Sequence, residues 1–230
     1  MSYKKIILEK YGGLEMLKLV EDDSLPEPEA GQVRIKVINT SANFTDIMIR
    51  KGKYPDVKEN PPFSPGYDMV GIVDKCGQGA NQFEIGQRVA DMTVIGAYSE
   101  YICLPEENLV SVPEDLDSAE AVSLILSYVT AYQMLHRIAK VEEKQSVLVH
   151  GASGAVGTAL LQLGNIYDLE MYGTASQKNH DIINNLGAMP IDYRTQDFVD
   201  QIEKLTDNGV KAVFDPIGGK HFNRSLKCLQ

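Results

Sequence analysis

Gly151, Gly154 and Gly157 stand three residues apart, directly after the apolar run Val147-Leu148-Val149-His150 and before a helix-compatible stretch that opens at Thr158. That order gives each glycine a task. The first permits a tight turn, the second lets the backbone approach a pyrophosphate, and the third lets helix and strand pack closely. The helix amino terminus then offers its unpaired N–H groups to the phosphates. A glycine triplet alone is a weak signal. Set between a strand and a helix, with another strand–helix pair following, it meets the context that dinucleotide binding requires. The segment Gly151-Ala152-Ser153-Gly154-Ala155 is also one substitution from the elbow that presents a nucleophilic serine in a hydrolase, and Asp215 and His221 follow in the matching order. A hydrolase elbow has no use for Gly157, so dinucleotide binding is the preferred reading.

The type of dinucleotide follows from the second strand. NAD-preferring sites carry an acidic residue about 20 positions past the glycines to hold the ribose 2′-hydroxyl. Here the strand ends Tyr172-Gly173-Thr174-Ala175-Ser176-Gln177-Lys178, while Asp168 and Glu170 lie at its beginning. Ser176 and Lys178 offer a hydroxyl and a cation, which suit a 2′-phosphate that a carboxylate would repel. NADPH is therefore the expected cofactor. The plainer alternative makes Lys178 a solvated lysine at a helix start.

No metal site is expected. Catalytic zinc needs three protein ligands converging on one point, and His136, His150, His180 and His221 show no such grouping along the chain. Cys76, Cys103 and Cys228 are isolated, neither a disulfide framework nor a metal knuckle, and point to a reducing cytoplasm. The net charge of -10 argues against nucleic acid and anionic membrane surfaces as partners. No apolar run reaches the length of a membrane span, and the amino terminus lacks the pattern of a signal peptide.

These residues need elements to hold them. The first half reads as short strands (residues 4–8, 32–39, 69–73, 88–92 and 97–103) separated by Gly and Pro, with a helical turn at 46–51. Strands at that spacing suggest a small barrel or sandwich. Residues 118–139 read as a helix starting at Ser118. Strands at 146–150, 170–174, 189–192 and 212–215 then alternate with helices at 154–167, 179–186, 197–206 and 221–229, which implies a parallel sheet. The expected class is α/β: a β-rich domain over residues 1–120 and a doubly wound nucleotide-binding domain over 121–230.

The sequence resembles the quinone oxidoreductase (zeta-crystallin) family, the zinc-independent branch of the medium-chain dehydrogenase/reductase superfamily. The resemblance rests on the glycine loop with Gln162 behind it, and on Asn43-Phe44-Thr45-Asp46-Ile47-Met48-Ile49-Arg50-Lys51-Gly52-Lys53-Tyr54-Pro55. It also rests on Pro65-Gly66-Tyr67-Asp68-Met69-Val70-Gly71, with Asp where the family has Glu, and on Gly96-Ala97-Tyr98-Ser99-Glu100-Tyr101. It implies a GroES-like catalytic domain followed by a Rossmann domain, with the active site in the cleft between them. By the same resemblance, Asn43 lines the nicotinamide and substrate pocket and Thr130 sits by the nicotinamide amide. Ser153, Gly154, Ala155 and Val156 hold the pyrophosphate, and Gly173, Ser176, Lys178 and Tyr193 surround the 2′-phosphoadenosine. Met48 stands where many members carry an aromatic residue. Zinc-dependent relatives place a cysteine and a histidine–glutamate pair where this chain has Asn43 and Tyr67-Asp68.

The activity implied is hydride transfer from NADPH to a quinone or enone, with Tyr54, Tyr67 and Tyr128 as candidate proton donors. A complete Rossmann domain has six strands, whereas the sequence supplies four candidates, so a C-terminally truncated domain is expected. The resemblance further implies a homodimer for a full-length form. The alternative is a non-catalytic remnant that binds NADPH or a partner.

Overall fold

A computed structural model describes the whole chain, Met1–Gln230. It divides into two compact units, Met1–Leu126 and Ser127–Gln230.

In the first unit, β1 (Tyr3–Leu8) and β2 (Leu17–Asp22) form an antiparallel pair. β3 (Gln32–Thr40), α1 (Phe44–Arg50), β4 (Met69–Cys76), β5 (Arg88–Asp91), β6 (Tyr101–Pro105) and β7 (Val110–Ser111) follow. The five strands pair antiparallel in the order β6-β3-β4-β5-β7. Alternation in β3 sends Val33 and Ile35 into a core with Met69, Val73, Val89 and Leu109, as a half-buried strand should.

Three sequence readings shift here. β2 was not anticipated, because Leu19 is exposed and the strand lacks a clear apolar face. The strand expected from residue 97 begins only at Tyr101. The amides of Gly96, Ala97 and Tyr98 instead bond the carbonyls of Ser64, Gly66 and Pro65. α1 begins earlier than expected, at Phe44, because Asp46 Oδ2 accepts the Asn43 N–H at 2.7 Å and stabilises that end.

α2 (Ser118–Tyr132) starts where the sequence placed it, but Asp117 is the cap. Its Oδ1 accepts the amides of Ala119 and Glu120 at 2.8 and 3.2 Å. Ser118 Oγ instead accepts from Arg88 Nη1 at 3.1 Å. The helix continues as a π-helical segment, Gln133–Ala139, and ends at Lys140, which has a left-handed φ of 50°.

The second unit contains β8 (Ser146–His150), α3 (Ala155–Ile166), β9 (Glu170–Ala175), α4 (His180–Asn185), β10 (Ala188–Asp192), α5 (Phe198–Leu205), β11 (Ala212–Phe214) and α6 (Lys220–Ser225). The strands form a parallel sheet in the order β10-β9-β8-β11. Both faces are covered, so β8 is buried throughout and its centre, Val147–Val149, is a continuous apolar run rather than alternating. Val147 and Val149 pack with Ala159, Leu160 and Ile183 on one face. Leu148 packs with Ile191, Phe198 and Ile202 on the other. The last helix is shorter than expected. After Ser225 a single tight turn, Leu226–Cys228, leads back to Val210, whose N–H bonds Cys228 O at 2.7 Å. No helix is long and apolar enough to cross a membrane.

Candidate cofactor and active site

The register of the parallel sheet gathers the chemistry at one edge. His150 pairs with Thr174, Asp192 with Ala175, and Phe214 with Val149. Gly151, Ser176, Tyr193 and Asp215, the next residues along or nearly so, therefore leave the sheet together at its carboxyl end. β9 and β10 extend from one side of β8 and β11 lies on the other, so the strand order reverses between β8 and β11. Open α/β sheets bind ligands in the crevice outside such a reversal. A cavity of about 340 Å³ opens there, lined by residues 149–151, 154–157 and 213–216.

Each glycine behaves as its place in the series requires. Gly151 turns the chain with φ +65°, a conformation that side chains disfavour. Gly154 ends the loop as an exposed, extended residue at the start of α3. Gly157 is buried, and a Cβ there would meet Gly151 O at 2.5 Å. The Thr158 N–H makes an intrahelical bond to Gly154 O at 2.8 Å, so the amides of Ala155, Val156 and Gly157 precede the helical ladder. Ala155 is exposed and Val156 half-buried beside the cavity. Ser153 Oγ is held by Asn179 Nδ2 at 2.8 Å.

The far end of the expected site is less uniform. Gly173 is buried in β9 against Ala152, where a Cβ would come within 2.7 Å of that side chain. Its role is to let the glycine loop lie close. Ser176 is buried at the end of β9, and Lys178 is exposed two residues on. Tyr193 is 53% exposed, with the Arg194 guanidinium 5.7 Å from its ring centre. Thr130 is half-buried on α2. Its neighbour Ala131 packs in the same cluster as Val149 and Ala152, which ties that helix end to the loop-side face of the sheet.

Against the sheet's other face lies a constellation that the sequence did not reveal. His150 and His221, far apart in the chain, meet edge to face with ring centres 4.3 Å apart. His150 Nδ1 meets Thr174 Oγ1 at 3.0 Å and its Nε2 meets Ser225 Oγ at 3.3 Å. Asp215 Oδ2 meets His221 Nδ1 at 3.1 Å and accepts from Ser225 Oγ at 2.7 Å. Its Oδ1 accepts the amides of Ile217 and Gly218 at 2.8 and 3.1 Å. Burial, reinforced by His221, pushes the His150 imidazole down to about 4 and leaves it neutral at pH 7. Burial raises the Asp215 carboxyl, but hydrogen bonds from Ser225, His221 and two amides outweigh it and keep the group ionised. The expectation of ungrouped histidines is therefore corrected: two of the four converge with a carboxylate. The hydrolase reading also falls, because Ser153 is bonded to Asn179 and the serine beside Asp215 is the buried Ser225.

In the first unit Asn43 caps α1 and joins a polar cluster. Its Nδ2 donates to Ser41 Oγ at 2.7 Å and to Asp68 Oδ2 at 3.3 Å. Asp68, 1% exposed, also accepts the Ser41 N–H at 3.0 Å and the Ser41 hydroxyl at 2.7 Å. Tyr67 turns the other way, its hydroxyl 2.7 Å from that of Tyr54 and the rings edge to face. Burial and the Tyr54 contact push the Tyr67 phenol well above its usual range. Tyr128, in the second unit, is bonded instead to Gln162 Oε1.

Comparisons with known proteins agree with this arrangement. Residues 29–114 match the alcohol dehydrogenase GroES-like domain, and residues 155–230 match the family model described as zinc-binding dehydrogenase. The chain is 33% identical over 231 residues to the synaptic vesicle membrane protein VAT-1 homolog of Danio rerio, covering all of this chain but 48% of that protein. It thus spans about half the length of that relative. It is 34% identical over 224 residues to the quinone oxidoreductase of Homo sapiens, covering 96% of this chain and 68% of that one. The crystal structure of Escherichia coli quinone oxidoreductase complexed with NADPH superposes with a TM-score of 0.91 at 28% identity, over 99% of this chain and 70% of that one. With a GroES-like antiparallel unit, a Rossmann-type parallel unit and these relatives, the chain belongs to the quinone oxidoreductase family of the medium-chain dehydrogenase/reductase superfamily.

Proposed function

We propose that this chain binds NADPH along the carboxyl edge of its parallel sheet and serves hydride transfer to a quinone or enone, without zinc. The observation that carries the reading is the coincidence of the glycine loop, the strand-order reversal and the cavity between the ends of β8 and β11. The amides at the start of α3 suit the pyrophosphate, with Ser153, Gly154, Ala155 and Val156 around it. Ser176, Lys178 and Tyr193 suit the 2′-phosphoadenosine, with the lysine cation favouring the phosphate. Thr130 is assigned to the nicotinamide amide. When bound, the cofactor supplies the hydride.

The donor set around Asn43 does not suit zinc. The first unit has no histidine, the Asp68 carboxylate is already bonded to Ser41 and Asn43, and the Tyr67 phenol resists ionisation. An acceptor that needs no Lewis acid to polarise it fits such a site, and conjugated quinones and enones are of that kind. Asn43 is assigned to orienting the acceptor. The Tyr54–Tyr67 hydroxyl pair is assigned as the proton source, because a phenol held protonated can donate.

The test is a fluorescence titration of the chain with NADPH and NADH, followed by turnover with a quinone, an enone and a simple ketone. Preference for NADPH, and reduction of the first two acceptors alone, is the expected result. Tighter NADH binding overturns the cofactor choice. Reduction of the simple ketone overturns the zinc-free assignment.

A further inference from the structure

The constellation beside β8 has the composition of a metal site. A nitrogen from each of His150 and His221 and an oxygen from Asp215 all lie within 4.8 Å of one another. Ligand atoms around tetrahedral zinc stand roughly 3.4 Å apart. His221 Nδ1 and Asp215 Oδ2, at 3.1 Å, are already near that spacing. We propose that His150, Asp215 and His221 bind a single divalent ion of the zinc class, structural in role, next to the cofactor cavity that His150 and Asp215 also line.

Three features support the assignment. First, two of the three ligands, His150 and Asp215, are oriented by outer partners, as metal ligands usually are. Thr174 Oγ1 engages His150 Nδ1 at 3.0 Å, which leaves Nε2 aimed into the cluster. The amides of Ile217 and Gly218 hold Asp215 Oδ1, which leaves Oδ2 aimed the same way. Second, the cluster is rich in acceptors. With the His150 proton on Nδ1, the single Ser225 hydroxyl proton faces Asp215 Oδ2 at 2.7 Å, His150 Nε2 at 3.3 Å and the His221 carbonyl at 3.1 Å. Given to Asp215 at the shortest of these distances, it leaves His150 Nε2 without a donor, and a cation would satisfy that nitrogen while replacing the proton between His221 Nδ1 and Asp215 Oδ2. Third, the donor types match. Two imidazoles and a carboxylate are a ligand set zinc accepts, with a fourth place for water or the Ser225 hydroxyl. The ion would join the end of β8, the loop after β11 and α6. A purely structural hydrogen-bond network is the competing account.

The test uses the purified full chain, stripped with a chelator and titrated with Zn²⁺ and, separately, Co²⁺. One equivalent should bind, with the visible Co²⁺ bands of a four-coordinate site and a rise in melting temperature. Asp215→Asn, which keeps an acceptor oxygen for the two amides, and His221→Ala should each weaken binding at least about tenfold, and Thr174→Val by about tenfold. In the unmodified chain, the ring NMR signals of His150 and His221 should move with zinc while those of His136 and His180 stay, a readout that does not depend on any variant folding. The proposal is overturned if the folded chain binds no stoichiometric ion. It is equally overturned if both ligand variants bind as the parent does, or if zinc moves only the His136 or His180 signals.

Discussion

Gly157 and Gly151 lie in contact across the first turn of α3, so close that a Cβ on Gly157 would stand 2.5 Å from the Gly151 carbonyl oxygen and 2.8 Å from the Ala152 backbone. Both neighbours are main chain and cannot swing aside. Gly157→Ala should therefore shift the loop, cost roughly 1–3 kcal/mol of stability, and weaken NADPH binding. Gly154→Ala, whose Cβ would meet the same oxygen at 3.2 Å, should be milder. Thermal unfolding and nicotinamide fluorescence on the two variants check the order. Equal behaviour would remove Gly157 from its packing role.

Lys178 is exposed at the end of β9, past the buried Ser176. If it neutralises the 2′-phosphate, Lys178→Glu should weaken NADPH binding about tenfold or more while sparing NADH, since hydrogen bonds to charged groups contribute about 1.5–3 kcal/mol. Parallel titrations with the two nucleotides read the difference. An equal loss for both would show that the substitution perturbs the fold instead.

The 2.7 Å contact between the Tyr54 and Tyr67 hydroxyls makes a separable prediction. Tyr67→Phe keeps the ring packing and removes one hydroxyl. Turnover of an enone should fall about 10²-fold or more, the usual contribution of a positioned proton donor, with NADPH affinity unchanged. Unchanged turnover would return the pair to a packing role.

Asp91, at the end of β5, gives a pH signature unrelated to the cofactor. Burial pushes its carboxyl up to about 6, against an amide bond from Met92 that lowers it. The unfolded chain ionises near 3.8 and the folded chain near 6, so the folded state holds the extra proton between them. Stability from this group is thus present below pH 4 and lost as pH rises through 6. Asp91→Asn should remove that loss and stabilise the chain at pH 7 by about 1–2 kcal/mol. Denaturant titrations at pH 4.5 and 7 compare the two proteins. A gain of the same size at both would contradict the shift.

The parallel unit was the more legible half in sequence. The strands at 146–150 and 189–192 are continuous or nearly continuous apolar runs, a pattern that short loops and glycines delimit well. Local patterns misled where a partner distant in sequence decided the outcome. Arg88, 30 positions away, engages the Ser118 hydroxyl and leaves the cap to Asp117, and the Ser64–Pro65–Gly66 carbonyls claimed residues that alternate like a strand. The glycine loop was readable because its task is local. The cluster of His150, Asp215, His221 and Ser225 was not, because no spacing rule links the end of one strand to a helix some seventy positions on. Only the sheet register brings them together.

Asp215 divides its two oxygens between the loop and the helix: Oδ1 fixes the turn at Ile217 and Gly218 beside the cavity, and Oδ2 engages His221 and Ser225 of α6. Whatever occupies the cavity and whatever occupies the histidine cluster thus bear on one carboxylate. Any free energy of coupling between them is reciprocal, so a factor by which an ion alters nucleotide affinity is the factor by which the nucleotide alters ion affinity. With the proposed ion and the proposed nucleotide both bound and coupled, a nucleotide dissociation constant would depend on trace metal in the buffer and would be defined only at a fixed metal concentration.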